Sequence, residues 1–236
     1  MADLVNYSLA DGIATITMQN GKVNAMSLPH ILAIGAALDQ AESDKAVVML
    51  VGKDGIFSAG FDLSTIQRDP IEAVEMVNAG SSLCRRMLAF PYPIIGVCTG
   101  HAIAQGCFTL MACDYRIGID GPFTLGLNEV QIGMTMHQVG ITLSRARLNK
   151  PFFDRSVISA EMYDPATAVA AGLLDKIVPA ENLMAEAQAQ ALRLSGLNMP
   201  AHAGTKLKSR AALLNELDQA IAQDYAEGKT LLPGHS

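Results

Sequence analysis

Hydrophobic spacing along this chain switches between a period of two, unbroken apolar runs and a helical period, and each switch marks a change of element. Val5 to Leu9 and Ile13 to Met18 alternate around Ala10-Asp11-Gly12, the pattern of a β-hairpin. Ser27 then opens a helix. Its hydroxyl is placed to cap the first amides, Pro29 is tolerated in the first turn, and Ile31, Ile34, Leu38 and Ala41 recur on one face until an end near Ser43. Ala46 to Val51 is apolar throughout, as in a strand covered on both faces, and Ile94 to Cys98 repeats that pattern after a helical stretch from about Ile71 to Phe90. Tyr115 to Ile119 and Lys176 to Val178 read as further strands; before the latter, Asp164 caps a helix that Pro165 starts and Gly172 stops. Strands alternating with helices predict an α/β fold. From Thr205 onward Leu207, Ala211, Leu214, Leu217 and Ile221 have helical spacing, with Pro200 and Gly204 punctuating the segment before them. This last helix covers either the core or a partner subunit, and periodicity does not choose between them.

Composition narrows the class. Half of the 236 residues are hydrophobic, enough for one large domain or one domain with a helical appendage. Charged residues are only 17%, the formal net charge is -6 and no block of like charge occurs, so the basic footprint of a nucleic-acid binder is missing. An anionic ligand would need local help. Met1 to Asp11 lacks a basic segment followed by an apolar core, and no apolar run approaches the roughly 18 residues of a membrane span, so a cytoplasmic protein with no membrane partner is expected. Cys84, Cys98, Cys107 and Cys113 lack metal-ligand spacing and read as small buried hydrophobes.

Two loops share a design in which small residues follow a buried strand and precede a helix. One is Gly55-Ile56-Phe57-Ser58-Ala59-Gly60-Phe61-Asp62-Leu63. In the other, Gly100 turns the chain and Ala104-Gln105-Gly106 opens a helix toward Met111. Helix starts present unpaired amides at a positive dipole end, so both loops could hold an anion, although glycine at such junctions also simply permits close packing. Two amides converging on one oxygen would form an oxyanion hole.

The order of motifs resembles the crotonase superfamily, the enoyl-CoA hydratase/isomerase family. The resemblance runs through Asn20-Gly21-Lys22-Val23-Asn24-Ala25-Met26, through Phe57 to Leu63, through Gly100 to Ile117, and through Gly126-Leu127-Asn128-Glu129-Val130-Gln131-Ile132-Gly133. It continues into Ala168 to Pro179. It implies an α/β spiral of ββα units over residues 1–180 that carries an acyl-CoA site, and a helical region over residues 181–236 for core covering and assembly as trimers or paired trimers. The substrate it implies is an acyl-CoA thioester, with no metal and no redox cofactor. It places the two oxyanion amides on Phe61 and Gln105. Relatives often carry glycine at the latter position; a main-chain donor survives that change, while the glutamine side chain is free to narrow the site. The segment with Lys22, Val23 and Ala25 resembles the stretch whose backbone runs beside the CoA adenine and pantetheine, where the Lys22 ammonium meets a phosphate or stands in solvent. Ser58, Ala59, Gly60, Asp62, Leu63 and Ala104 complete the expected binding loops, with Asp62 also suited to be a helix cap. Lys206, Lys208 and Arg210 form a basic cluster that either meets CoA phosphates across a subunit boundary or balances acidic neighbours. Met76, Leu83, Met87 and Phe90 share a helical face that reads as core, some of it lining an acyl tunnel.

Reaction type turns on position 108. Hydratases of this family use two glutamates, and the first falls here on Phe108, which can neither orient nor deprotonate water. The second is kept as Glu129, in surroundings that resemble the mitochondrial-type Δ3,Δ2-enoyl-CoA isomerases, which work with one base. Phe108 and Leu127 are expected to shed water around Glu129 and raise its pKa. The expectation is therefore an isomerase of fatty-acid β-oxidation or a related degradative pathway. A hydratase or other family lyase that recruits His137 or ordered water, and a non-catalytic CoA-ester-binding subunit, remain as alternatives. His137 stands either in the acyl pocket or as a satisfied polar residue at a helix start. His101 and Asp114 read as packed or structural residues.

Overall fold

The computed structural model describes residues 4–230 and 232. Strands β1 (Val5–Ala10) and β2 (Ile13–Met18) pair antiparallel, and the turn between them puts Asp11 and Gly12 at φ 51° and 73°, a conformation open to aspartate and glycine. Helix α1 (Leu28–Ser43) follows. Ser27 occupies its N-cap position without capping: the hydroxyl instead accepts from the Asn20 side chain at 3.1 Å, which ties the preceding loop to the helix start.

The chain then coils three times through one unit, a strand in a large sheet, a short strand in a small sheet, and helix. The first turn is β3 (Val47–Val51), β4 (Gly55–Ser58), α2 (Leu63–Arg68) and α3 (Pro70–Ala89). The second is β5 (Ile94–Cys98), β6 (Gly100–Ile103) and α4 (Gln105–Ala112). The third is β7 (Tyr115–Ile119), β8 (Leu125–Gly126) and α5 (Gln138–Arg147). The chain continues through α6 (Lys150–Val157), β9 (Met162–Tyr163), α7 (Pro165–Ala171), β10 (Lys176–Val178), α8 (Leu183–Ser195) and α9 (Met199–Thr230). The large sheet runs β1-β2-β3-β5-β7-β10, parallel from β2 onward; the small sheet runs β4-β6-β8-β9, parallel except at β9. This is the expected α/β spiral of ββα units.

The unbroken apolar strands are covered on both faces. Val48, Leu50 and Ile94 join the main core with α1, α3 and α4, while Val47, Met49, Ile95 and Val97 pack under Leu183, Ala187 and Ala191 of α8. Asp164 caps α7 through the Thr167 amide, and Gly172 ends it at φ 87°. Two expectations change. Gly100 to Ile103 is not a bare turn but strand β6, and the last helix begins at Met199, so Pro200 lies in its first turn, where no amide is needed, and Gly204 lies inside it. Among the described residues no helix is long and apolar enough to cross a membrane.

Candidate active site

Strands β4, β6 and β8 are consecutive neighbours in the small sheet and run parallel, so the chain leaves all three toward the same edge. Phe61 follows the end of β4, Gln105 the end of β6 and Glu129 the end of β8, each within three residues. Topology alone thus gathers three residues that are far apart in sequence, at the strand ends where ligands of parallel sheets bind.

The first loop is held from below. Met26 donates to the Gly60 carbonyl at 2.8 Å, Ala59 donates to that of Val23 at 3.1 Å, and buried Asn24 donates from Nδ2 to Met18 and Phe57 carbonyls. The Phe61 amide itself has no acceptor among the described residues. Gly60 sits at φ 91°, and a Cβ there would lie 3.0 Å from the Ala104 methyl and 3.5 Å from the Gln105 nitrogen, so the two loops touch at this glycine. In the second loop Ala104 adopts φ 50° and ψ -118°, a region that glycine favours, and the Gln105 N–H follows as the first amide of α4. It too has no acceptor among the described residues. Two free amides, one at a helix start, therefore lie on adjoining loops.

Side chains around the amides divide in purpose. Gln105 is 1% exposed and its Nε2 donates to the Gly80 carbonyl of α3 at 3.1 Å, so the side chain packs away and does not narrow the site. Ser58 is fully buried and its hydroxyl accepts the Gly60 amide at 3.1 Å, which supports the loop. Asp62 caps α2 through the Ser64 amide, and the hydrogen bonds from Ser64 hold its carboxyl below the usual range. Lys22 and Val23 are exposed, as is Leu63, and Ala25 is half-buried with its carbonyl engaged by Asn20 and His30. Lys206 and Arg210 are turned inward to Asp114, whereas Lys208 is exposed, so the three do not form one basic patch. His101 accepts the Thr124 amide and packs on Phe123, a structural arrangement.

Glu129 is 7% exposed and its Oε2 is buried without a partner; burial pushes its pKa up to about 7. Phe108 and Leu127 are both buried. The Phe108 ring meets His137 edge-on with centroids 5.3 Å apart, and the His137 Nε2 is buried and unpartnered. His137 stands at the N-cap position of α5 without capping it. Asp224 of α9 does that instead, accepting the Gln138 and Val139 amides at 2.7 and 2.9 Å. Burial lowers the His137 pKa while Asp224 raises it.

A mostly apolar cavity of about 240 Å³ lies between α2, α3 and α9, walled by residues that include Ile66, Val74, Val77, Met134 and Ile221. Met134 donates its amide to the Glu129 carbonyl at 2.9 Å, which joins the cavity to the carboxylate segment. Met76, Leu83, Met87 and Phe90 are core residues and do not line it. The sequence reading missed Asp224, which caps α5, and Ser81, whose buried hydroxyl has no partner among the described residues; both are on this wall, and a single acid or serine on an amphipathic helix has no distinguishing spacing.

The Enoyl-CoA hydratase/isomerase family model matches residues 8–230. Enoyl-CoA delta isomerase 1, mitochondrial, of Homo sapiens is 28% identical over 220 residues, covering 91% of this chain and 72% of that protein. An enoyl-CoA hydratase/isomerase family protein from Pseudomonas syringae is 56% identical with a TM-score of 0.94, over 95% of this chain and 98% of that one. A Mycobacterium tuberculosis protein is 36% identical with TM-scores of 0.92 and 0.93, over 96–97% of this chain and 97–100% of that one; it is described once as an enoyl-CoA isomerase and once as a probable enoyl-CoA hydratase. The two free amides, the strand-end geometry and these likenesses agree on one conclusion: the chain belongs to the enoyl-CoA hydratase/isomerase family.

Proposed function

We propose that the chain is a Δ3,Δ2-enoyl-CoA isomerase of fatty-acid degradation. The observation that carries this reading is a single buried carboxylate among the described residues, Glu129, with phenylalanine where the family resemblance puts the second acid of a hydratase. Glu129 removes a proton from C2 of a 3-enoyl-CoA, the electrons move onto the thioester oxygen, and the same carboxyl returns the proton at C4 to give the 2-trans product. The enolate oxygen accepts from the Phe61 and Gln105 amides, an interaction of which each donor typically supplies about 2.7–4 kcal/mol of barrier lowering. A base near pKa 7 is about half ionised at neutral pH and better matched to a carbon acid than an exposed glutamate. The acyl tail lies in the cavity between α3 and α9, with CoA along Lys22 to Ala25.

The test is a parallel turnover screen of 3-enoyl-, 2-enoyl- and saturated CoA esters. Conversion of the 3-enoyl ester without incorporation of solvent oxygen is expected; faster hydration of crotonyl-CoA overturns the reading. One observation favours hydration, the buried, unpartnered His137 Nε2 against Phe108, which gives a second group able to hold water. Binding of acyl-CoA with no turnover of any ester would leave a CoA-ester-binding subunit.

A further inference from the structure

At the amino-terminal ends of β5 and β7 a second cavity, of about 540 Å³, opens between α8 and α9 and shares no lining residue with the apolar one. Its lining carries three cations, Arg193, Lys206 and Arg210, against one carboxylate, Asp114. That carboxylate is already saturated. Its Oδ2 accepts from the Ile94 amide and from Lys206 at 2.8 and 2.7 Å, and its Oδ1 takes Arg210 at 2.9 Å. Lys206 is 5% exposed, so its charge is held inside the protein. Arg193 is exposed, and its guanidinium bonds only through Nε to Gln190, leaving its terminal nitrogens open to solvent or ligand among the described residues. Buried and unpartnered, the His202 Nε2 also lies at this lining. Behind the wall Arg147 donates to the Cys113 carbonyl while its own Nε is buried without a partner.

Positive charge is therefore concentrated here in a chain whose formal net charge is -6. Buried charges ordinarily appear in balanced pairs, because an uncompensated one costs several kcal/mol of desolvation. Burial, then the nearby Arg116 and Arg210, pulls the Arg147 pKa down to about 10, and burial lowers that of Lys206 against the pull of Asp114. The start of α9 adds its positive dipole end, with Asn198 capping the Ala201 amide. Leu194 and Leu197 supply an apolar wall, and the volume lies within the roughly 300–1,000 Å³ of small-molecule sites.

We propose that this cavity binds a small organic oxyanion, a phosphate or carboxylate carried on an apolar body, at a site separate from the thioester chemistry. The anionic group bonds to Arg193 and Arg210, and the body packs on Leu194 and Leu197. Calorimetric titration of the full chain with phenyl phosphate, benzoate and inorganic phosphate, at constant ionic strength in chloride, tests it. Saturable binding of phenyl phosphate is expected, at least tenfold tighter than inorganic phosphate, and weakened at least tenfold by Arg193→Gln with Tm in chloride unchanged. Benzoate binding comparably marks a general oxyanion site, and its failure marks a phosphate site. No saturable binding, binding unaltered in Arg193→Gln, or binding abolished by Lys22→Gln instead, overturns the proposal. So does a change of sedimentation coefficient in Arg193→Gln without loss of ligand, which would make the cavity a contact between copies of the chain.

Discussion

Gln105 and Gly80 are joined by a 3.1 Å hydrogen bond from the glutamine Nε2 to the glycine carbonyl, and the same glycine leaves no room for a Cβ beside the Phe61 ring. A Cβ at Gly80 would fall 2.7 Å from Phe61 Cε1 and 3.1 Å from Gln105 Nε2. One α3 residue thus contacts both residues whose amides are proposed to hold the enolate. Gly80→Ala is expected to lower kcat by roughly tenfold to a hundredfold through misplacement of those amides, with KM changed less and the circular dichroism spectrum retained. An unchanged kcat would separate α3 from the positioning of the site.

Glu129→Gln removes the base while keeping its shape. A loss of roughly 10²- to 10⁴-fold in kcat is expected, with acyl-CoA affinity by calorimetry within a few-fold of the native chain. In the native enzyme the rising limb of the pH–rate profile should break near the pKa of about 7, because only the ionised carboxylate accepts the proton. A break close to 4.5 would show that burial does not tune it.

The same substitution has an opposite effect on stability. Glu129 binds its proton more tightly in the folded chain than in the unfolded one, so the cost of ionising it builds as pH rises from about 4.5 and is complete above about 7. That cost reaches about 3 kcal/mol. Glu129→Gln is expected to be the more stable protein at pH 8.5 and equal to the native chain at pH 4, as read from urea unfolding at both values. Equal stabilities at both would mean that the carboxyl is solvated in the folded state.

Asp114→Asn leaves Lys206 and Arg210 without their counter-charge in a buried setting. A destabilisation of about 3–5 kcal/mol is expected, visible as a lower urea midpoint with unchanged slope. A loss below 1 kcal/mol would mean that water reaches Lys206.

Ala104 holds a backbone conformation that a side chain disfavours. Ala104→Gly should relieve about 1 kcal/mol of strain and raise the melting temperature, while the Gln105 amide keeps its direction. A fall in melting temperature would show that the methyl contact with Gly60 outweighs the strain.

Elements with a long, strong period were legible in the sequence: the hairpin, α1, α3, β3, β5 and α7 fall where spacing and caps put them. Gly100 to Ile103 was not, because a strand this short, opening on glycine, contains too few positions to show alternation. The start of α9 was misread for a different reason, since proline is a break signal in a helix interior but costs nothing in a first turn. At the site, the motif order pointed to Phe61, Gln105 and Glu129, and the apolar Phe108 and Leu127 pointed to a desolvated carboxyl, which Glu129 is. The inward turn of Gln105 onto Gly80 and the capping of α5 by Asp224 depend on contacts across 25 and 86 residues, which no local pattern encodes.

Each coil of the spiral delivers one part of the proposed site, an amide from the first, an amide from the second and the acid from the third. Because the acid lies on a different backbone segment from the two amides, descent can revise the proton carrier without rebuilding the cradle for negative oxygen. A scaffold assembled in this way allows new reactions to arise by piecemeal exchange, with the intermediate's stabilisation inherited intact.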